Sequence, residues 1–212
     1  MKKIICFLLI LCFIFTVGCQ SSVQLSVGAN SSPEAIVIEL MESCKSLNTR
    51  KMAMCMDSTS KTEFSKYVTF MNKNAFVDYF KNYIKDNASI IEYEIDEVEI
   101  KDNKATVTVK VKYRDIGTYF YSSIIEAMSK VRSMERTGMQ YSGKDIAEIV
   151  KNYLDENNDE IQNEELSKDI LYIDCVNKSG KWYINTFVQE LVDLAYSDTF
   201  SVALNFAELA ND

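Results

Sequence analysis

The sequence predicts an α+β domain in which helices pack on one side of an antiparallel sheet. Residues Val107, Val109 and Val111 alternate with polar residues at the period of a half-buried strand, and Leu171 and Ile173 do the same. Each run faces a second alternating run across a turn, so the strands form hairpins. Segments with helical spacing precede, separate and follow the two hairpins. The predicted order is therefore helices, hairpin, helices, hairpin and helix.

The first helix is predicted to begin at Pro33. Ser32 offers an N-cap hydroxyl, Pro33 suits the first helical position and Glu34 places an acid in the first turn. Apolar residues then recur at helical spacing, namely Ile36, Leu40, Cys44 and Leu47.

Two further helices are predicted before the first hairpin. The first is short and covers Arg50 to Met56; the polar run Asp57 to Ser60 ends it and offers caps for the next helix. The other runs from about Asn74 to Asp86. Its apolar stripe is aromatic and consists of Phe76, Tyr79, Phe80 and Tyr83.

The first hairpin is predicted over residues 91–113. Apolar residues alternate in one phase up to Ile95 and in the other phase from Val98, so a β-bulge is expected near Asp96-Glu97. Asp102-Asn103 supplies the turn. The returning strand ends at Tyr113, with one face buried and one exposed to solvent.

The remaining elements follow the same two periods. Ile124, Met128 and Val131 predict one helical stripe, and Ser142 with Asp145 resembles a capping box that opens another helix. The second hairpin covers residues 169–185 and turns at Asn177 to Gly180, where Gly180 is free to adopt a positive φ. A final helix is predicted over Glu190 to Leu209, with a break at Ser197-Asp198.

The N-terminus has the pattern of a targeting segment. Lys2 and Lys3 precede fourteen uncharged residues, Ile4 to Val17, which suit a signal peptide but are short for a membrane span of roughly 20 residues. The run ends in Thr16-Val17-Gly18-Cys19, which resembles a bacterial lipoprotein signal except that Thr16 replaces the usual leucine. The resemblance implies cleavage after residue 18 and lipidation of Cys19. An ordinary secretory signal and an uncleaved anchor are the alternatives.

Three regions follow from this assignment. Residues 1–18 are a predicted lipoprotein signal peptide, and residues 19–32 are a lipidated cysteine with a flexible polar tether. Residues 33–209 have the length of a single domain. Removing the signal peptide takes away Lys2 and Lys3 but no acid, so the net charge falls from −8 to −10. This charge argues against nucleic-acid binding and leaves membrane attachment to the lipid on Cys19.

The hairpin sequences resemble the nuclear transport factor 2-like, or cystatin-like, fold, especially small lipoproteins of Gram-positive bacteria. The resemblance rests on Ala105-Thr106-Val107 and on Gly180-Lys181-Trp182-Tyr183-Ile184 and covers about half of the chain. It implies N-terminal helices packed on a curved antiparallel sheet that forms a cone. Some relatives use the cone as a ligand or catalytic cavity, and others fill it with side chains. Residues 119–166 look like a helical insertion between the hairpins, longer than the one that the simplest members carry.

Catalytic motifs are absent from the sequence. Without any histidine, Ser-His-Asp and Cys-His catalysis and most zinc sites are excluded. Enzymes of this fold combine acids and tyrosines inside the cone, so the candidate cavity or rim residues are Tyr113, Asp115, Tyr119, Tyr121 and Asp174. No residue is assigned as catalytic, because these side chains fit the core or the surface equally well.

No cofactor or metal is expected. Asp155, Asn157 and Asp159 match the first ligands of an EF-hand loop, but Glu160 and Leu166 stand where glycine and a bidentate glutamate are required. Cys44, Cys55 and Cys175 are the cysteines outside the first 19 residues. Either one disulfide, with Cys44–Cys55 nearest in sequence, or three buried free thiols fits the pattern.

The expected function is therefore binding rather than catalysis. The leading interpretation is a lipid-anchored extracytoplasmic domain that binds a small hydrophobic ligand or an envelope protein. An acid- and tyrosine-based isomerase or hydratase is the alternative. A structural assembly protein is a third interpretation, which an exposed apolar patch within residues 119–166 would favour.

Overall fold

The computed structural model describes residues 24–73, 75–140, 142–185 and 188–209. Within these ranges nine helices and a four-stranded antiparallel sheet form an α+β fold, which confirms the predicted class. The elements are α1 (Pro33–Lys45), α2 (Thr49–Cys55), α3 (Ser58–Lys73), α4 (Ala75–Ser89), β1 (Glu92–Lys101), β2 (Lys104–Tyr113), α5 (Gly117–Arg136), α6 (Gly143–Glu156), α7 (Asn158–Asn163), β3 (Ser167–Lys178), β4 (Lys181–Ile184), α8 (Val188–Ala195) and α9 (Thr199–Leu209).

The sheet has the order β1-β2-β3-β4, with every neighbouring pair antiparallel. The register shifts between Ile95 and Glu97, which confirms the predicted bulge. Asp102 in the first turn has a φ of 56°, and Gly180 in the second has a φ of 80°. The shift explains why the apolar phase of β1 changes while that of β2 does not, since β2 carries no extra residue.

The sheet has one covered face and one open face. On β2 and β3, the side chains of the covered face are at most 6% exposed; they are Ala105, Val107, Val109, Val111, Leu171, Ile173 and Cys175. Helix α1 packs across this face and contacts all four strands. Its residues Ile36, Leu40 and Cys44 are fully buried, as their helical spacing predicts. The open face carries alternating charged side chains together with the exposed Ile170 and Tyr172.

The predicted helix boundaries are largely confirmed. Ser32 caps α1 by accepting a hydrogen bond from the Ala35 amide, and Ser142 and Asp145 form the predicted capping box of α6. The final helical region divides into α8 and α9 at Ser197 and Asp198, which both have positive φ. Asn74, the predicted start of α4, lies outside the described residues.

Two helical predictions require correction. The 16-residue helix α3 fills a stretch for which only caps were predicted, because its apolar residues are too sparse for a clear stripe. Met128 does not share a buried face with Ile124: Ile124 packs on the core, whereas Met128 is 42% exposed. The buried face of α5 instead uses Phe120 and Ala127.

Part of the predicted tether is docked on the domain. Leu25 packs against the core and Ala29 is buried. The Asn30 side chain donates a hydrogen bond to the Trp182 carbonyl at 2.7 Å, and the Asn30 carbonyl accepts one from the Trp182 amide at 3.0 Å. The Ser26 hydroxyl donates to Glu39 at 2.5 Å. The folded domain therefore begins near Leu25 rather than at Pro33. Residues 1–18 and Cys19 lie outside the described residues.

The three thiols within the described ranges are free and buried. Burial raises the pKa of Cys44 to about 12 and that of Cys175 to about 12. The structure therefore selects the free-thiol alternative over a Cys44–Cys55 disulfide, and these thiols fill core volume as small apolar groups. Among the described residues, no helix is both long and apolar enough to span a bilayer.

Asp57 links α3 to the second hairpin. Its amide donates to the Ile184 carbonyl at 2.8 Å, and its carboxylate accepts from the Ser60 amide and the Lys178 ammonium, each at 2.9 Å. Burial raises the pKa of this carboxyl, but these two hydrogen bonds outweigh it and leave the pKa below its ordinary value. The carboxylate thus caps α3 in its charged form.

Replacement of Asp57 by alanine is expected to lower the free energy of unfolding by about 1 kcal/mol, since the α3 cap is lost. The native carboxylate stabilises the fold above its unfolded pKa, and this contribution disappears as the pH falls through the lower folded pKa. Urea denaturation at pH 7 and pH 3 measures both effects. Lys178→Ala removes only a half-exposed partner and should cost less. Equal losses in the two variants would contradict the capping role.

Candidate functional site

An acid–tyrosine cluster lies where β2 ends against the junction of α8 and α9. Tyr113 is half-buried at the end of β2, and its hydroxyl donates a hydrogen bond to the Asp198 carboxylate. Asp115 accepts a hydrogen bond from the Gly117 amide at 2.7 Å. A Cβ on Gly117 would lie 3.3 Å from the Asp198 Cβ and carbonyl oxygen, so this glycine permits the close approach of the α5 start to the junction.

The junction itself holds an unusual backbone. Ser197 and Asp198 have φ values of 55° and 62°, a conformation that residues other than glycine rarely adopt, least of all consecutively. The Ser197 carbonyl accepts a hydrogen bond from the Ile116 amide at 3.2 Å, which ties the junction to the loop after β2. This backbone turns the Asp198 side chain toward Tyr113 rather than along α9.

Asp198 has a strongly perturbed carboxyl group. Burial, together with the negative charges of Asp115, Asp193 and Asp169, raises its pKa to about 6, although the hydrogen bond from Tyr113 acts in the opposite direction. Burial also raises the pKa of Tyr113, with the Asp198 charge acting in the same direction. The charged groups that shift the pKa values of this pair most are acids. Burial and neighbouring acids thus favour the protonated form of the Asp198 carboxyl more than solvent does.

Asp193 has a structural partner that Asp198 lacks. Its carboxylate accepts hydrogen bonds from the Ser201 amide at 2.8 Å and from the Ser201 hydroxyl at 2.5 Å. Burial raises the pKa of Asp193, and the two bonds to Ser201 partly offset that rise. Asp193 thus fastens the first turn of α9 to α8, whereas Asp198 interacts with Tyr113.

The cluster borders a small pocket of about 140 Å³, lined by Val111, Tyr113, Asp169, Leu171, Glu190, Asp193, Leu194 and Asp198. This volume corresponds to about five water molecules. It is below the 300–1,000 Å³ of typical small-molecule sites. A carboxyl group with a raised pKa at the wall of such a pocket is of a type that can act as a general acid or base toward a very small molecule or a water.

The structure divides the five candidate cavity residues. Tyr113 and Asp115 meet at this cluster. Tyr119 faces α7 instead, where burial and the Glu160 and Glu164 charges raise its pKa. Tyr121 is 51% exposed on α5. Asp174 lies on the open face of the sheet, where it accepts a hydrogen bond from the Thr106 hydroxyl at 2.7 Å.

The sequence-based search missed the acids that the C-terminal helices contribute. Asp193 and Asp198 lie about 80 residues beyond Tyr113 in the chain, so no local spacing connects them. The available signal was the placement of two acids within the otherwise apolar "LVDLAYSDTF". An acid inside a buried helical stretch needs a partner, and this requirement makes it a candidate site residue.

A second concavity of about 830 Å³ lies on the open face, at the end of the sheet where β1 begins. Its apolar wall includes Ile170 and Tyr172, which are 47% and 65% exposed. Charged side chains border it, with Lys112 bound to Glu92 at 3.2 Å. The size and mixed lining suit an amphipathic ligand lying across the strands.

The third feature is an exposed row along α5, here termed the α5 stripe, which comprises Tyr121, Ile125, Met128, Arg132 and Arg136. The first three are 51%, 45% and 42% exposed. Their spacing of three or four residues places all five on one side of the helix. The opposite side of α5 packs on α6 and α9. The stripe is apolar toward the helix N-terminus and cationic toward the C-terminus.

Neither a metal-site search nor comparison with known proteins assigns a function to these features. In the part of the chain that the structure describes, no three His, Cys, Asp or Glu side chains are arranged to hold a metal ion. Comparisons with protein-family models, with curated proteins and with solved structures found no match to this chain.

Proposed function

We propose that this protein is a lipid-anchored interaction domain on the extracytoplasmic face of a bacterial cell membrane. Cys19 would carry the lipid, and the folded domain from Leu25 onward would stand directly beyond it. The observation that carries the interaction role is the α5 stripe, because its apolar side chains remain exposed at helical spacing. An exposed apolar row of this kind is typical of a surface that another molecule covers.

The distribution of space in the domain supports surface binding. On β2 and β3, the covered face of the sheet is filled by side chains that are at most 6% exposed, and the pocket at its end is small. A small hydrophobic ligand would therefore bind on the open face beside Ile170 and Tyr172 rather than beneath the helices. The acidic net charge argues against a nucleic-acid partner.

The proposed relationship is to nuclear transport factor 2-like lipoproteins. Helices precede the first hairpin, a tryptophan-bearing strand completes the second, and helices α5 to α7 occupy the predicted insertion between them. Trp182 is 8% exposed, as such a core tryptophan would be. The four-stranded sheet with its filled covered face would be a closed variant of the cone.

The location is tested with a cysteine placed at Ser65, an exposed residue of α3. The full chain carrying Ser65→Cys, expressed in a bacterial host, should react in intact cells with a membrane-impermeant maleimide. The wild type controls for the buried Cys44, Cys55 and Cys175, which should not react. Labelling of Ser65→Cys only after lysis would contradict an extracytoplasmic position.

A second candidate function is acid–base catalysis on a very small molecule. The specific observation in its favour is the Tyr113–Asp198 pair beside a pocket, with the pKa of Asp198 raised by burial to about 6. Turnover of a small hydroxy or carbonyl compound that is lost in Asp198→Asn, while the variant remains folded, would support catalysis and displace the binding role.

A further inference from the structure

We propose that the α5 stripe binds the α5 stripe of a second copy of this chain, with the two helices antiparallel. The proposal rests on the interaction function proposed above and names its partner. The two-fold axis would pass between Met128 and Ser129. The pairing would extend over the 15-residue separation of Tyr121 and Arg136, which is about 22 Å of helix.

The spacing of the stripe is self-complementary about this axis. Tyr121 and Arg136 are equally distant from it in sequence, and so are Ile125 and Arg132. In an antiparallel pair, Arg136 of one copy therefore lies level with Tyr121 of the other, and Arg132 lies level with Ile125.

The charges of the stripe favour this orientation. Antiparallel pairing brings each guanidinium to an aromatic ring or an aliphatic side chain, where cation–π attraction and stem packing are favourable. A parallel pair would bring Arg132 and Arg136 of the two copies together, and the like charges would repel. The pairing thus accounts for an apolar half and a cationic half on one helix face.

The helix surface also permits close approach at the axis. Ser129 and Ser133 are small and exposed, and they line a shallow groove of about 370 Å³ together with Ile125, Met128, Arg132 and Arg136. A small residue beside Met128 leaves room for Met128 of the second copy. The nearby Lys130 and Glu126 already form an ion pair at 2.6 Å on the flank, so they add no unpaired charge to the contact.

Contact through one helix per copy is smaller than a standard stable interface, so a weak association is expected in dilute solution. Confinement by a lipid anchor would raise the effective concentration of copies at the membrane. The association is therefore best measured in membranes that contain the full chain.

The test introduces a single cysteine at Ser129, close to the axis. With helices at the usual packing distance, two such cysteines lie within reach of a disulfide. Mild oxidation of membranes should give a disulfide-linked dimer for Ser129→Cys. The dimer yield of Ser65→Cys on α3 should not exceed that of the wild type. The wild-type yield also measures any disulfides formed by cysteines within residues 1–19. Equal yields for Ser129→Cys and Ser65→Cys would overturn the proposal.

Two substitutions at Ile125 identify the partner by the sign of their effect. In the Ser129→Cys background, Ile125→Glu places a carboxylate level with Arg132 of the second copy and should raise the dimer yield at least about twofold. Ile125→Arg places two cations together and should lower it about tenfold. Position 125 is exposed, so both variants should retain the wild-type circular dichroism spectrum.

The alternative occupants predict different results. Both substitutions would weaken the binding of an apolar partner to the α5 stripe. An anionic membrane surface would bind Ile125→Arg more strongly than Ile125→Glu. Either pattern would overturn self-association. Extracytoplasmic labelling of Ser65→Cys is measured independently. Labelling without a Ser129→Cys dimer would remove this inference and leave the proposed location standing, whereas absent labelling would remove the proposed function itself.

Discussion

Replacement of Cys19 by alanine is expected to abolish acylation completely and to remove the mature, lipid-anchored form from the membrane. Two acyl chains contribute about 0.8 kcal/mol for every buried CH₂, so this single thiol would supply nearly all of the membrane affinity. The acidic domain adds none, because anionic headgroups repel it. Metabolic labelling with a fatty acid and mass spectrometry of the N-terminal peptide measure the loss.

Cys12→Ala is the matched control for this prediction. It removes a thiol from the same N-terminal segment but lies within the uncharged run, where it has no role in the expected cleavage site. Its labelling should equal that of the wild type. An N-terminal peptide that retains an unmodified Cys19 in wild-type membranes, or fatty-acid label that persists in Cys19→Ala, would contradict the lipoprotein assignment.

The strands were predictable because their side chains alternate between a buried face and a solvent-exposed face. The side chains that face the helices are Val107, Val109 and Val111, whereas Lys110 and Lys112 face solvent. The alternation of apolar and charged residues in the sequence therefore predicts the two faces. The bulge near Asp96 was predictable for the same reason, since a change of phase on one strand requires an extra residue. Caps such as Ser32 and Ser142 gave the helix starts.

The helix faces were less predictable because apolar spacing alone does not identify the side that packs. On α5, Ile124 and Met128 are four residues apart, yet only Ile124 packs on the core. Residues four apart on a helix differ in direction enough that one can be buried while the other is exposed. Which of these residues is buried depends on how α5 packs against α6 and α9. The sequence of α5 alone does not contain this information.

The candidate site was predictable only on the side that the hairpin contributes. Tyr113 and Asp115 follow a clear strand, so their position at one end of the sheet could be anticipated. Asp198 reaches them because two consecutive residues adopt positive φ, a conformation that the sequence does not indicate for serine and aspartate. The long-range proximity of the acids thus depends on a local backbone feature that the sequence pattern indicates only as a helix break.

Replacement of Asp198 by asparagine is expected to raise the free energy of unfolding at pH 7 by about 2 kcal/mol, after allowing for partial exposure of the carboxyl. The folded pKa is about 6, and the unfolded value is about 3.9. Between these values the folded state binds more protons, so the stability of the native protein falls as the pH rises from about 4 to 6. Asparagine carries no charge at any pH and should remove this slope.

Asparagine preserves the hydrogen bonding and the backbone conformation of position 198. Its side-chain oxygen can accept the hydrogen bond from Tyr113, and it tolerates positive φ at least as well as aspartate. Asp102→Asn is the matched control, because Asp102 also has a positive φ but is exposed in the β1–β2 turn. Urea denaturation of forms lacking residues 1–23, measured from pH 4 to 7, compares the two variants.

The two variants should agree near pH 4 and diverge as the pH rises, because Asp198 is partly buried beside three other acids, whereas Asp102 is exposed. A gain in Asp198→Asn that is the same at pH 4 and pH 7 would show that backbone preference, not charge, causes it. The expected pH-dependent gain would mean that the native carboxylate destabilises the fold at neutral pH. A destabilising charge held beside a pocket by a strained backbone is the pattern that distinguishes functional groups from structural ones, so this measurement also bears directly on the catalytic alternative.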